Sequence, residues 1–302
     1  MTPLRIGTRG SPLARWQANH VAELLRPLAG PRPVELVEIQ TTGDQLRDRP
    51  LVQIGGEGVF TKEIQRALLA GRVDLAVHSL KDLPTVPVEG LVLAAVPRRG
   101  PAGDAFVSHR HAGFDRLPTG AAVATSSLRR RAQVLHRRPD LCLVDIRGNV
   151  ETRLRKLAEQ DLDGLILAQA GLERLGLGGV ITEMLGWMLP AVGQGALGLE
   201  CRADDHATLT LVAPLDDPPT RQAVLAERAL LRALGGGCLI PLGAAASVSG
   251  DVLVLRGVVL SPDGTQRVGG EISGPADDPE AVGQKLAGML LAQGARQLLA
   301  GG

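Results

Sequence analysis

The sequence predicts an α/β protein of two similar lobes, each on a mainly parallel sheet, followed by a small α+β module. Three observations predict it. Short apolar strands alternate with amphipathic helices from residue 4 to residue 78, and the same alternation resumes after a Pro/Gly-rich break. A second linker then introduces one helix, three strand-like segments and a further helix. At 302 residues the chain is long for one core, so two or three domains are expected.

The elements follow in order. LRIGT (4–8) reads as a short buried strand, and PLARWQANHVAELLRPLA (12–29) as a helix with Ser11 as N-cap and Pro12 in its first turn. VELVEIQ (34–40) alternates as a strand, TKEIQRALLAGR (61–72) is a helix closing on Gly71, and DLAVH (74–78) is another strand. PRRGPAG (97–103) is a hinge. Beyond it come strand AAVAT (121–125), a helix from Ser127, strand CLVDI (142–146), a helix from Val150, and strand GLILA (164–168). After LPAVGQG (189–195), ALGLECR (196–202) reads as a strand returning to the first lobe, and PLDDPPT (214–220) is a second linker. The remainder reads as helix 221–234, strands near 242–249, 252–260 and 266–273, and helix 281–299. The expected domains are therefore 1–97 with 195–214, then 103–190, then 219–302.

Composition narrows the function. Apolar content of 44%, 22% charged residues and a net charge of +1 describe an ordinary globular protein with no global attraction to nucleic acid or anionic membranes. Aromatic content of 2%, with no tyrosine, argues against a base-stacking surface. Three widely spaced cysteines suggest neither a disulfide framework nor a zinc site, and the histidines show no metal-ligand spacing. The opening MTPLRIGTRGSPLARWQ lacks a signal-peptide layout, and a cytoplasmic location is expected. Of 33 cationic residues only Lys62, Lys81, Lys156 and Lys285 are lysines, and the arginine fork suits carboxylates.

Two lobes joined by hinges imply a ligand cleft between them, with strand ends and helix N-termini facing it. In ATSSLRRRAQ (124–133) a strand ends, Thr125, Ser126 and Ser127 follow, and Arg129, Arg130 and Arg131 occupy the first helical turn. Cations there oppose the helix dipole, which points to a bound anion. Arg131 is expected outside the site, because three residues about 100° apart cannot all aim at one point. DIRGNVETRLRKL (145–157) repeats the design with Arg147 in the turn, Asn149 as cap and Arg153 in the new helix. AQAGLERLG (168–176) offers Arg174, and IGTRGS (6–11) offers Arg9. Four strand ends supplying arginine predict a polycarboxylate or polyphosphate ligand. No GxxxxGK[ST] is present, and no strand leads into GGEGVF (55–60), which reads as a glycine lid loop.

HSLKDLP (78–84) places Lys81 and Asp82 at a strand end. Asp82, a carboxylate in an otherwise cationic site, is the candidate for stabilising a carbocation or sharing a proton. His78 reads as structural. Cys142 and Cys201 read as strand residues, Cys142 as buried. Cys238, behind Gly235, Gly236 and Gly237 in LGGGCLIPLGA, reads as a turn-tip thiol with no histidine base nearby.

These stretches, with GEGVFTKEI, ILAQAGLERLG and LPAVGQGALGLECR, run in order through nearly the whole chain and resemble the porphobilinogen deaminase (hydroxymethylbilane synthase) family. The resemblance implies two lobes like the type 2 periplasmic binding proteins and a third domain. It implies a dipyrromethane cofactor, built from two substrate units and joined by a thioether to Cys238. The implied reaction polymerises four porphobilinogens with release of ammonia, and hydrolysis frees hydroxymethylbilane for haem and other tetrapyrroles.

By that resemblance Asp82 is the catalytic carboxylate, stabilising the positive pyrrole nitrogen and the azafulvene. Arg9, Arg129, Arg130, Arg147, Arg153 and Arg174 bind cofactor and substrate carboxylates, joined by Lys81, Thr125, Ser126 and Ser127. Ser11, Gln17, Phe60 and Gln194 match further positions near the site. A monomer is implied, with porphobilinogen as its partner and neither nucleic acid nor membrane. The lid departs from many relatives, with Glu57 and Gln53 where lysines are frequent, so a carboxylate-binding role does not carry over to it. A two-lobe solute-binding protein explains the arginines but neither Asp82 nor Cys238. A cysteine-nucleophile hydrolase lacks a placed base.

Overall fold

The structure is a computed structural model that describes residues 2–45, 58–236 and 240–300. Cys238, Gln53 and Glu57 lie outside the described residues.

In chain order, the first lobe comprises β1 (Leu4–Thr8), α1 (Pro12–Ala29), β2 (Val34–Glu38), α2 (Thr42–Gln45), α3 (Lys62–Leu69), β3 (Leu75–Ser79) and β4 (Leu91–Ala95). The second comprises β5 (Asp104–Val107), β6 (Ala122–Ala124), α4 (Leu128–Arg137), β7 (Cys142–Val144), α5 (Val150–Glu159), β8 (Gly164–Ala168), α6 (Gln169–Arg174) and β9 (Glu183–Met184). The chain then returns as β10 (Leu197–Arg202) and α7 (His206–Val212). It ends in α8 (Pro218–Ala233), β11 (Leu242–Ser249), β12 (Val252–Leu260), β13 (Arg267–Pro275), α9 (Pro279–Ala292) and α10 (Ala295–Ala300). Two compact units result: Met1–Gly100 with Ala196–Arg221, and Pro101–Gly195 with Gln222–Gly302.

The first unit holds a five-stranded sheet of order β2-β1-β3-β10-β4. β1 pairs in parallel with β2 and β3, whereas β10 runs antiparallel between β3 and β4. α1 begins where Ser11 accepts from the Ala14 N–H at 3.3 Å, satisfying an orphan donor of the first turn. Its Ala18, Val21, Ala22 and Leu25 recur at helical spacing and pack on Leu4, Ile6, Leu75 and Val77. On the opposite face, Ile64, Ala67 and Leu68 of α3 pack with Val73 and Ala76.

The second unit holds a sheet of the same design, β7-β6-β8-β5-β9, with β6 parallel to β7 and β8, and β5 antiparallel to β8 and β9. The expectation of mainly parallel sheets thus holds for half of each. The antiparallel pairings enter with β5 and β10, the strands that follow the crossovers between lobes. β7 is an edge strand, and Cys142 on it is exposed rather than buried as expected. A β11-β12-β13 meander, covered by α8 and α9, forms a separate core around Leu230, Leu253, Leu255 and Leu286.

The meander is welded to α4 within this unit. Ala132 packs with Val258 and Leu260, and His136 Nδ1 lies 2.9 Å from the Gly264 carbonyl. Gly264 has φ +73°, and a Cβ there would stand 2.6 Å from the His136 nitrogen and 2.7 Å from the Ala132 oxygen. Only glycine fits so close to helix backbone. The expected single helix over 281–299 divides at Gly294, whose φ of +99° leaves the helical region.

Candidate active site

In the first unit, β1 and β3 are parallel, so their C-terminal ends lie along one sheet edge. Arg9 follows β1, with its guanidinium carbon 4.2 Å from the centroid of the Phe60 ring. Gly43 makes room for that ring, since a Cβ at 43 would lie 2.1 Å from it. β3 leads into a 3-10 turn, Leu80–Asp82, which carries Lys81 and a half-buried Asp82.

Polar contacts pin the strand just before that turn. Gln17, a polar residue on the buried face of α1, and Ser79 exchange hydrogen bonds of 2.9 and 3.1 Å. On the other side His78 Nε2 lies 3.0 Å from Glu200 Oε2, while Gln65 donates to Glu200 Oε1 at 3.0 Å. The Leu80 N–H donates to the Ala196 carbonyl at 3.0 Å. The backbone entering the Asp82 turn is therefore tied to α1, α3 and β10. His78 is structural, as expected. Ser11 and Gln17 serve the scaffold here, one capping α1 and one bonding Ser79.

In the second unit, β6, β7 and β8 are parallel, so the starts of α4, α5 and α6 share one edge. Ser127 caps α4 by accepting from the Arg130 N–H at 3.4 Å, and Thr125 Oγ1 accepts from the Ser127 N–H at 3.3 Å. Ser126 bridges to the next loop, donating to the Ile146 carbonyl at 2.7 Å and accepting from its N–H at 2.9 Å. Asn149 caps α5 by accepting from the Thr152 N–H at 2.8 Å. Between these caps the turn at 147–149 is held by two cations of α5. Arg153 Nε donates to the Gly148 carbonyl at 2.8 Å, and Lys156 donates to the Arg147 carbonyl at 3.2 Å. Arg174 donates to the Gly195 carbonyl at 2.7 Å, and burial pulls its guanidinium below the ordinary arginine value, with Glu173 opposing.

Arg129 and Arg130, only 5% and 6% exposed, converge on Asp104, which is 0% exposed. Arg129 Nη1 donates to Asp104 Oδ2 at 2.6 Å and to the Leu189 carbonyl at 2.8 Å. Arg130 donates to Asp104 Oδ1 from Nε at 2.9 Å and from Nη2 at 2.7 Å, and Nη1 reaches the Ile166 carbonyl at 2.9 Å. Gln194 adds its amide nitrogen at 3.0 Å from Asp104 Oδ1. Burial pushes the Asp104 carboxyl up, but the two guanidiniums and the hydrogen bonds from Arg129 and Gln194 outweigh it and hold it well below the usual carboxylate range. Burial and the neighbouring Arg129 pull Arg130 down against the raising effect of Asp104.

Two buried guanidiniums thus face one buried carboxylate. Arg129 Nε is also buried and makes no hydrogen bond among the described residues. An excess buried cation with a spare donor favours a further anion. Arg131, by contrast, turns outward to the Leu143 carbonyl at 3.3 Å and to an exposed Asp145 at 3.7 Å.

Asp104 was not legible in the sequence as a site residue. The signal available was an aspartate opening the apolar strand DAFV directly behind the Pro/Gly hinge. Among the described residues there is no group of three or more His, Cys, Asp or Glu able to hold a metal ion, and no helix long and apolar enough to cross a membrane.

Comparison with known proteins places the chain. Residues 4–210 match the family model for the porphobilinogen deaminase dipyromethane cofactor binding domain, and residues 221–292 match the porphobilinogen deaminase C-terminal domain. The chain is 52% identical over 299 residues to the porphobilinogen deaminase of Syntrophotalea carbinolica, covering 98% of this chain and 95% of that one. It is 53% identical over 299 residues to the porphobilinogen deaminase of Geobacter sulfurreducens, covering 98% and 94%. Among solved structures, a periplasmic substrate-binding protein of an ABC transporter from Coxiella burnetii shows 17% identity and a TM-score of 0.44, over 74% of this chain and 94% of that one. The chain belongs to the porphobilinogen deaminase family.

Proposed function

We propose that this chain deaminates and joins four porphobilinogens head to tail into hydroxymethylbilane on a covalent dipyrromethane primer, as a monomer in the cytoplasm. The observation that carries the reading is the arginine-lined edge of the second sheet. Each porphobilinogen brings an acetate and a propionate, so a growing chain accumulates carboxylates. The buried cluster at Asp104, with its excess guanidinium charge and the spare Arg129 donor, fits that chemistry. The bound primer supplies a free pyrrole α-carbon onto which each new unit is added, and Cys238 holds it as a thioether.

In this reading the residues divide their work by domain. The region 1–97 with 195–214 supplies Asp82, Lys81, Arg9 and Phe60. The region 103–190 supplies Arg129, Arg147, Arg153 and Arg174 for carboxylates, with Thr125, Ser126 and Ser127 shaping the helix terminus. Arg130 and Gln194 act through Asp104, which takes up three of the four Arg130 and Gln194 side-chain contacts described above. The region 219–302 carries Cys238. Asp82 stands against the positive charge that develops on the pyrrole nitrogen as ammonia departs, and relays protons to and from that nitrogen. The contacts at Ser79, His78 and Leu80 hold the Asp82 turn in place during that charge change.

Asp82→Asn tests the assignment. The variant is expected to fold and keep its primer, yet lose nearly all hydroxymethylbilane formation. Substantial turnover in the folded variant would sink the catalytic role of Asp82.

A further inference from the structure

The second unit holds another buried carboxylate, one with no role in the proposed chemistry. Glu227 lies on α8 and is 0% exposed. Its oxygens accept from backbone groups far apart in the chain, Oε2 from the Gly193 N–H at 2.8 Å and Oε1 from the Ala246 N–H at 2.9 Å. Gly193 belongs to the segment that leaves the second lobe, and Ala246 to β11. One side chain of α8 therefore fastens that segment to the three-stranded sheet. Charge-assisted bonds to backbone N–H groups are strong, and they offset the cost of burying the carboxylate.

The fastened segment touches the arginine cluster at both ends. At one end the Leu189 carbonyl accepts from Arg129 at 2.8 Å. At the other, Gln194 adjoins Gly193 and places its amide nitrogen 3.0 Å from Asp104. Further ties stiffen it. Gln133 of α4 donates to the Leu189 carbonyl and accepts from the Leu189 N–H, both at 2.9 Å, and the Ala244 N–H donates to the Pro190 carbonyl at 2.9 Å. A continuous buried path thus runs from Glu227 through Gly193 and Gln194 to Asp104 and its two arginines.

We infer that Glu227 is a positioning residue for carboxylate binding: by fixing residues 189–194 on β11 it sets the placement of Asp104 and Arg129. The inference rests on the proposed reading, in which Arg129 grips carboxylates of the pyrrole chain. A carboxylate that only welded the segment in place would change stability and leave substrate affinity alone. A positioning carboxylate moves affinity, because contiguous hydrogen-bonded networks carry energetic coupling between distant groups.

Glu227→Gln tests it, since the amide turns one acceptor into a donor that faces a backbone N–H. Assayed well below its unfolding temperature and per primer-loaded molecule, the variant should show KM for porphobilinogen raised roughly fivefold, with kcat changed less than about twofold. Primer occupancy at purification, read by intact mass, should fall below that of the unaltered protein. Glu227→Asp keeps the charge but retreats by one methylene, and should raise KM by about twofold. Native KM and native occupancy in the folded Gln variant overturn the inference, even where the thermal midpoint drops. Should the Gln variant fail to fold, native KM in the Asp variant overturns it. Unaltered protein that forms no hydroxymethylbilane fails the functional reading itself. Unaltered protein that turns over beside variants of native KM and occupancy fails only the role given to Glu227.

Discussion

Replacing Asp104 by asparagine removes the counter-charge that two buried guanidiniums share among the described residues. Asp104 Oδ1 accepts from Arg130 Nε, Arg130 Nη2 and Gln194, and Oδ2 accepts from Arg129, so either orientation of an asparagine amide sets a donor against a donor. Removing one partner of a buried ion pair costs about 3–5 kcal/mol, and two stranded cations place this case at about 5 kcal/mol. At about 2–4 °C per kcal/mol, the second unit should melt about 10–20 °C lower. Urea unfolding followed through Trp187, in a Trp16→Phe background, reports on that unit, because Trp187 packs against Phe114 in its core.

The pH dependence has a definite sign. The folded pKa of Asp104 lies below its unfolded value of about 3.9, so between the two the unfolded chain binds more protons and stability rises with pH. The advantage of aspartate over asparagine is therefore fully present above about pH 5 and shrinks only as pH falls below about 4 toward the folded pKa. A loss under about 1 kcal/mol, or an advantage that changes between about pH 5 and 8, would refute the claim that a charged Asp104 anchors the arginine pair.

Gly264→Ala adds a Cβ facing helix backbone at 2.6 and 2.7 Å from a left-handed position. A cost of about 2–4 kcal/mol is expected in urea unfolding of the second unit, and native stability would show that the hairpin does not bear on α4 as described. Burial, followed by the neighbouring Asp205, pushes the Cys201 thiol up to about 11, whereas Cys142 is exposed on an edge strand. Native alkylation near pH 8 should label Cys142 and spare Cys201. A separate sample of primer-loaded protein, denatured without prior alkylation, should show two free thiols of its three cysteines, and three would contradict attachment at Cys238.

Local signals made much of this molecule legible. The caps at Ser11, Ser127 and Asn149 act at the helix starts read from the sequence, and α1 and β8 keep their expected limits, because capping and hydrophobic period are short-range properties. The returning strand β10 also fell where its apolar run suggested. Long-range pairing was less visible. β5, a strand of four residues directly behind a Pro/Gly hinge, gives too short a pattern to read as a strand, and its antiparallel place depends on partners about 60 to 80 residues away. The same gap hid Asp104, since nothing near DAFV announces two arginines 25 and 26 residues later. Cys142 was misread as buried because the apolar CLVDI gives no sign that its strand lies at the sheet edge. Glu227 looks like an ordinary helix charge until Gly193 and Ala246 meet it.

A covalent pyrrole primer on Cys238 is tested by the intact mass of the purified protein beside its Cys238→Ser variant. An excess equal to two deaminated porphobilinogen units is expected on the unaltered protein and none on the variant. An unmodified mass on folded, unaltered protein, or the same excess on both, would contradict it.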